Sequence, residues 1–279
     1  MIKKIFLKTG YKIWLVYTFL VVEYLLFACA PWLLGKTIDT VLTGQYYYFV
    51  LYGSCGVIGL IIGFVRRRLD TRIFANICLD ITLNFLEKMF KTFNLCSSKI
   101  VVRIKKIDVF TQFAEYTIPS IVRSTIFICI SFVCLFSTMG LWVLIIFGLM
   151  CLTLITSHYF SSKIEKVLED TQLNDELKEK AIIDKNEEQT FYHCNSSTVL
   201  NVKFSDIQAS NWGVVDICCI VCEIIAIYIL TVTVKLTTGE IMASLSYVHS
   251  LCGYFQVFPS VIEQLKQLKV ASRFLYLKE

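Results

Sequence analysis

Six stretches of this chain are long and apolar enough to cross a hydrocarbon core, which takes roughly 20 helical residues. They lie near 13 to 34, 46 to 65, 120 to 139, 141 to 158, 211 to 234 and 241 to 262. Nothing else in the sequence constrains the fold as strongly. A chain with such segments folds in lipid, where every backbone N–H and C=O must be satisfied internally, so the spans are helices. Composition agrees: 56% of the 279 residues are hydrophobic, 18% are charged and the mean hydropathy is +0.65. Soluble domains carry about a quarter of their residues as charges. The first stretch, "WLVYTFLVVEYLLFACAPWLLG", is too long for a signal-peptide core and has no small-residue cleavage site after it, so it is expected to stay in the mature chain.

Orientation follows from the basic residues. With the N-terminus inside, 25 of the 27 Lys and Arg fall on the inner side, and only Lys36 and Lys235 lie outside. Positive charge marks the cytoplasmic side, so both termini are expected there. The net charge of +5 is then a topological bias, and no nucleic-acid-binding pattern accompanies it. The cysteines, twelve in all, fall mostly inside spans, where a thiol behaves as a small apolar side chain.

The inner segments are long and the outer loops short. Residues 66 to 119 carry Ile73, Ile77, Ile81, Phe85 and Met89 at helical spacing, which predicts that the second span continues out of the membrane. A polar break, "NLCSSK" at 94 to 99, precedes a return helix reaching the third span at Pro119. The second inner segment repeats the plan, leaving through "SSKIEKVLEDTQLNDELKEKAIIDKNEEQ", turning around "TFYHCNSS" and returning through "VLNVKFSDIQASNW". The expected architecture is an all-α membrane protein with six transmembrane helices, long cytoplasmic helical hairpins and one domain over 1 to 279.

Several residues are candidates for function. Glu23 and Glu223 lie near the bilayer midplane by count, where a carboxylate costs roughly 2.5 to 3.5 kcal/mol and avoids lipid. They read either as a protonatable pair lining a cavity or as protonated groups hydrogen-bonded between helices. Asp216, Cys219 and Glu223 share one helix face, with Asp216 closer to the cytoplasm. Cys219 and Cys222 form a C-x-x-C, yet no second pair and no histidine is visible nearby, so no metal site is expected. In the sixth span Ser246, His249, Gly253 and Gln256 form one polar stripe, either a cavity face or a histidine satisfied by a neighbouring helix. Gly59 and Gly63 form a G-x-x-x-G that suits close helix packing, and "RRR" at 66 to 68 reads as a membrane-interface anchor.

The pieces "PWLLGKTIDTVLTG", "SSKIVVRIKKIDVFTQFAEYTIPSIVRS", "LNDELKEK", "VKFSDIQASNWG", "TTGEIMASLSYV" and "VASRFLYLKE" come in the order and at the distances found in the transmembrane module of type I ABC exporters. The chain resembles that module over nearly its whole length, and more narrowly the standalone bacterial six-transmembrane ABC proteins. The resemblance implies a homodimer with alternating access around a central cavity, in a bacterial inner (cytoplasmic) membrane. It also implies hairpin tips that rest on a nucleotide-binding domain, here Phe93 to Ile100 (with Phe93, Asn94, Leu95, Ser97 and Ser98) and Gln189 to Ser197 (with Phe191, Tyr192 and His193). No G-x-x-x-x-G-K-[ST] occurs in these residues; the "GKT" at Gly35 has Ala30 where the first glycine belongs. The chain is therefore expected to be no enzyme and to hold no cofactor, with ATP and Mg bound only by a separate ATPase subunit. A proton-coupled peptide or small-molecule carrier and a non-transporting membrane scaffold remain alternatives. Expected partners are a second copy, an ATPase and lipids, and no nucleic acid.

Overall fold

The computed structural model describes residues 10–92, 109 and 111–276. Among them there is no strand. The chain runs as α1 (Tyr11–Ala28), α2 (Ala30–Leu42), α3 (Tyr47–Thr92), a π-helical turn (Phe113–Thr117), α4 (Ile118–Met139), a 3-10 turn (Gly140–Trp142), α5 (Val143–Ile183), α6 (Glu187–Tyr228), a second π-helical turn (Ile229–Thr233), α7 (Thr238–Phe255) and α8 (Val257–Tyr276). The first inner hairpin tip, including Phe93, Asn94, Leu95, Ser97 and Ser98, lies outside the described residues.

Among the described residues, four helical stretches are long and apolar enough to cross a membrane: Lys12–Leu42, Tyr47–Asn84, Phe113–Ile183 and Glu187–Thr233. The third is 71 residues long and reverses at Gly140, whose φ of 59° is the left-handed conformation that glycine adopts without strain. After that reversal Phe132 of α4 meets Phe147 of α5 edge to face, 4.8 Å between centroids. The sixth expected span does not reach the same apolarity. The reason is its position: α7 lies between α2 and α4 and offers only part of its circumference to lipid.

Prolines set the bends. α1 and α2 are one apolar run broken at Cys29, because Pro31 in the first turn of α2 has no N–H to continue the ladder. Pro119 and Pro259 occupy the first turns of α4 and α8 in the same way.

The chain divides into two compact units. The first comprises residues 1–77, 114–153 and 215–257. In it Leu20, Tyr24 and Ala28 of α1 pack with Phe127 of α4, and Tyr17, Ile126, Ile130 and Tyr254 close around them. α2 and α7 approach most closely. A Cβ on Gly35 would lie 2.5 Å from the Gly239 carbonyl oxygen, so the two glycines are what allow the backbones to touch. Asp39 fastens the contact, accepting from Thr237 Oγ1 at 2.7 Å and from the Gly239 N–H at 2.9 Å. Thr237 and Glu240 complete a capping box at the start of α7. Outward-facing Val57, Leu60, Ile61, Phe64, Ile217, Ile220 and Ile224 give this unit an apolar exterior suited to lipid.

The second unit comprises residues 78–113, 154–214 and 258–279. α5 and α6 form a hairpin that reverses at Asp184–Asn186, earlier than the "TFYHCNSS" expected from the sequence. The Asn186 N–H reaches the Ala181 carbonyl and the Lys185 N–H that of Ile182, with Lys185 at φ 52°. This pair of bonds is a Schellman stop. Asn186 Oδ1 then accepts from the Gln189 N–H, and Glu187 and Glu188 occupy the positive first turn of α6. A lysine rather than a glycine takes the left-handed position, which is why the turn left no clear mark in the sequence. "TFYHCNSS" is helical instead.

Asn174 holds the hairpin together inside. Its amide donates to the His193 carbonyl and to Ser197 Oγ, and its oxygen lies 2.8 Å from His193 Nδ1. Ser157 Oγ similarly meets Asn211 Oδ1 at 3.1 Å, both buried. Glu165, beyond the apolar part of α5, receives Lys266 at 2.6 Å and Lys269 at 2.5 Å. The hydrogen bond from Lys266, then that from Lys269, holds its carboxyl well below the usual range, at about 2.

Candidate functional site

The polar residues of α6 and α7 come together rung by rung. One turn pairs Asp216 with Gln256, whose amide donates at 2.8 Å; two turns further along α6, Glu223 Oε1 lies 2.8 Å from His249 Nδ1. Seven residues separate Asp216 from Glu223 and seven separate His249 from Gln256, so helices running in opposite senses bring the two sets into register. The ladder is open on one side, with the His249 side chain 82% exposed and that of Glu223 39% exposed. Ser246 belongs to the same stripe but donates to the Met242 carbonyl of its own helix, leaving it no part in the ladder.

The cysteines lie beneath. Cys219 and Cys252 are buried at the seam, each thiol directed at the other's backbone carbonyl at 3.7 Å, and Cys222 is wholly buried with its thiol toward the Ile146 carbonyl. They fill the seam as small apolar groups. Cys219 therefore does not share the exposed face with Asp216 and Glu223. Among the described residues no group of three or more His, Cys, Asp or Glu is arranged to hold a metal ion.

Glu23 stands apart from this ladder. It is buried in the same unit and paired with Arg66, whose Nε lies 2.5 Å from Glu23 Oε2 and whose Nη1 lies 3.2 Å from Asp70 Oδ2. Glu23 and Glu223 thus have separate partners, a guanidinium for Glu23 and an imidazole for Glu223. Gly63 makes room for the first of these: a Cβ there would lie 2.6 Å from Glu23 Oε1. Of the three arginines read as an interface anchor, Arg67 and Arg68 are exposed, whereas Arg66 is a buried counter-ion. Its signal in the sequence was the four-residue step to Asp70, which puts both on one helix face. Beside this cluster Arg123 lies over the Tyr24, Phe127 and Tyr254 rings and donates from Nε to the Tyr254 hydroxyl at 3.3 Å.

In the second unit Phe191 and Tyr192 are 69% and 67% exposed on the first turns of α6, while His193 is turned inward to Asn174. Ile182 and Ile183 are exposed just before the reversal. The end of this hairpin therefore carries exposed apolar and aromatic side chains beside the exposed charges of Asp184, Lys185, Glu187 and Glu188.

Long apolar helices, an apolar exterior and a polar ladder confined to one seam define a multi-pass helical membrane protein. The sequence pattern of the ABC transporter transmembrane region matches residues 2–239, and the chain belongs to that family. A comparison with curated proteins gave no match.

Proposed function

We propose that this chain is the membrane subunit of an ABC-type transporter with the exporter-type transmembrane fold. Two copies pair in a bacterial cytoplasmic membrane, each with six spans and both termini inside, and a separately encoded ATPase drives alternating access. ATP and Mg bind on that subunit, and this chain contributes no catalytic group.

The observation that carries the reading is the open ladder on α6 and α7. Asp216 and Glu223 are among exposed isoleucines on a stretch apolar enough to span the membrane, and they meet Gln256 and His249 across the seam. Ionisable groups at that depth face a water-filled cavity or a bundle interior rather than lipid. The ladder is then the wall of the translocation cavity, completed by the second copy. Its carboxylates suit a cationic or hydrogen-bond-donating cargo. The exposed Ile182, Ile183, Phe191 and Tyr192 are the surface on which the ATPase rests.

Thiol labelling tests the wall. Cysteine is placed at 223, 249 and, as a lipid-facing control, 224, and membranes are treated with a charged, water-soluble thiol reagent; wild type supplies the background of native thiols. Labelling above background at 223 and 249 but not at 224 is expected. Equal labelling at all three, or none at 223 and 249, removes the cavity.

A further inference from the structure

The buried cluster around Arg66 is out of charge balance. Glu23 and Asp70 contribute two carboxylates and Arg66 one guanidinium, with side chains only 5%, 10% and 7% exposed. Burying an uncompensated charge is among the most costly things a fold can do. Arg66 also leaves the cluster's bonding incomplete. It serves Glu23 Oε2 and Asp70 Oδ2, while Asp70 Oδ1 is buried with no hydrogen-bond partner.

Among the described residues, the groups around Asp70 do not supply the missing charge. On its own helix it faces Arg66, already shared. From α1 it faces Tyr17, whose hydroxyl donates instead to the Ala114 carbonyl at 3.4 Å, and Tyr24 stands on the far side of Arg66. From the π-helical turn Glu115 acts on Asp70 with the same sign. Of the other described cations nearby, Arg67 is exposed to the outside, and Arg123 is exposed and occupied with the Tyr24, Phe127 and Tyr254 rings. A cation at Asp70 would have to sit beside the Arg66 guanidinium, which leaves the proton as the smallest compensating charge.

We infer that the Glu23–Arg66–Asp70 cluster is a proton-binding site, with the proton on Asp70 Oδ1. One O–H bond forms there at the expense of hydronium in bulk water, and no other bond changes. The neutral carboxyl completes a one-to-one ion pair between Glu23 and Arg66 and relieves the repulsion with Glu115. Because the cluster joins α1, α3 and the π-helical turn, the bound proton favours the packed arrangement of these three elements. Ionisation of Asp70 favours their separation. π-helical turns recur at functional sites, where the wide turn shifts easily. This is a site distinct from the Glu223–His249 ladder, and it operates whatever partner drives transport.

Infrared spectroscopy of the purified full-length protein in lipid reads the proton directly. At mildly acidic pH the wild type is expected to show a protonated-carboxyl C=O band that is lost in Asp70→Asn, whose amide copies the neutral acid in shape. The band is also expected to be lost in Glu23→Gln, because Arg66 and Asp70 then balance each other. Aspartate labelled with 13C at the side-chain carboxyl should shift the band, and labelled glutamate should leave it in place. If Asp70→Asn does not fold, Glu23→Gln and the labelling carry the test. A wild-type spectrum identical to that of Asp70→Asn overturns the inference. So does a band that survives Glu23→Gln, or one that moves with labelled glutamate.

Discussion

Replacing Gly35 with alanine should loosen the α2–α7 contact that seats the ladder helix. The new Cβ would stand 2.5 Å from the Gly239 carbonyl oxygen and 2.8 Å from Ala243 Cβ, where ordinary contact begins at 3.4 Å. The obstacle on one side is backbone, so it cannot swing away, and the helices must part by about 1 Å to relieve the overlap. The bond from the Gly239 N–H to Asp39, 2.9 Å long, then stretches past hydrogen-bonding range. Overpacking of this kind costs about 1–3 kcal/mol. A hydrogen bond to a charged group adds about 1.5–3 kcal/mol, less here because Thr237 beside it is exposed. The sum, on the order of 2–4 kcal/mol, should lower the thermal unfolding midpoint in detergent or nanodiscs by several degrees. Gly56→Ala is the control, since a Cβ at Gly56 meets nothing within 4 Å. A midpoint unchanged by Gly35→Ala, or lowered as far by Gly56→Ala, would refute the close approach.

Arg66→Gln should destabilise the protein by about 3–5 kcal/mol, because it leaves the buried Glu23 carboxylate without its cation, while Arg67→Gln at the exposed neighbour changes little; paired thermal melts decide it. The acid limb of stability should depend on Glu165. Its carboxyl titrates at about 2 when folded against an ordinary value near 4.5, so the contribution is complete above 4.5 and is lost as pH falls from there toward 2. Glu165→Gln should therefore flatten the melting profile over that window, and an unchanged profile counts against the Lys266–Glu165–Lys269 bridge. Phe191→Ala with Tyr192→Ala should change the unfolding free energy by no more than about 0.5 kcal/mol, since both rings are exposed, yet abolish stimulation of a co-purified ATPase. Loss of folding instead would make these rings structural.

Much of the architecture was legible in the sequence because lipid imposes length. Five of the expected spans coincide with stretches apolar enough to cross, and Pro31 and Gly140 mark where runs bend or reverse. The sixth is weaker for a physical reason: α7 packs against α2 and α4 and gives its open face to the polar ladder, so serines and His249 take places that a lipid-facing span fills with apolar side chains. The second hairpin tip was misplaced because its stop uses Lys185 in the left-handed position, without the glycine that ordinarily announces it. The ladder was half visible. Seven-residue spacings in both helices put the right residues on common faces, but one sequence does not say which face opposes which. Glu23 was grouped with Glu223 by depth alone, and its true partner was hidden in an arginine run that topology had already explained. Arg66 and Asp70 were separable from Arg67 and Arg68 only by helical phase.

The central claim is that this chain works as the membrane half of an ATP-driven machine. It is tested most directly by mild cross-linking in the native membrane, followed by isolation of the chain and native mass spectrometry of what accompanies it. The expected result is two copies of the 32.1 kDa chain bound to a nucleotide-binding subunit whose ATP hydrolysis falls when Phe191 and Tyr192 are changed. A chain recovered without any ATP-hydrolysing subunit would contradict it.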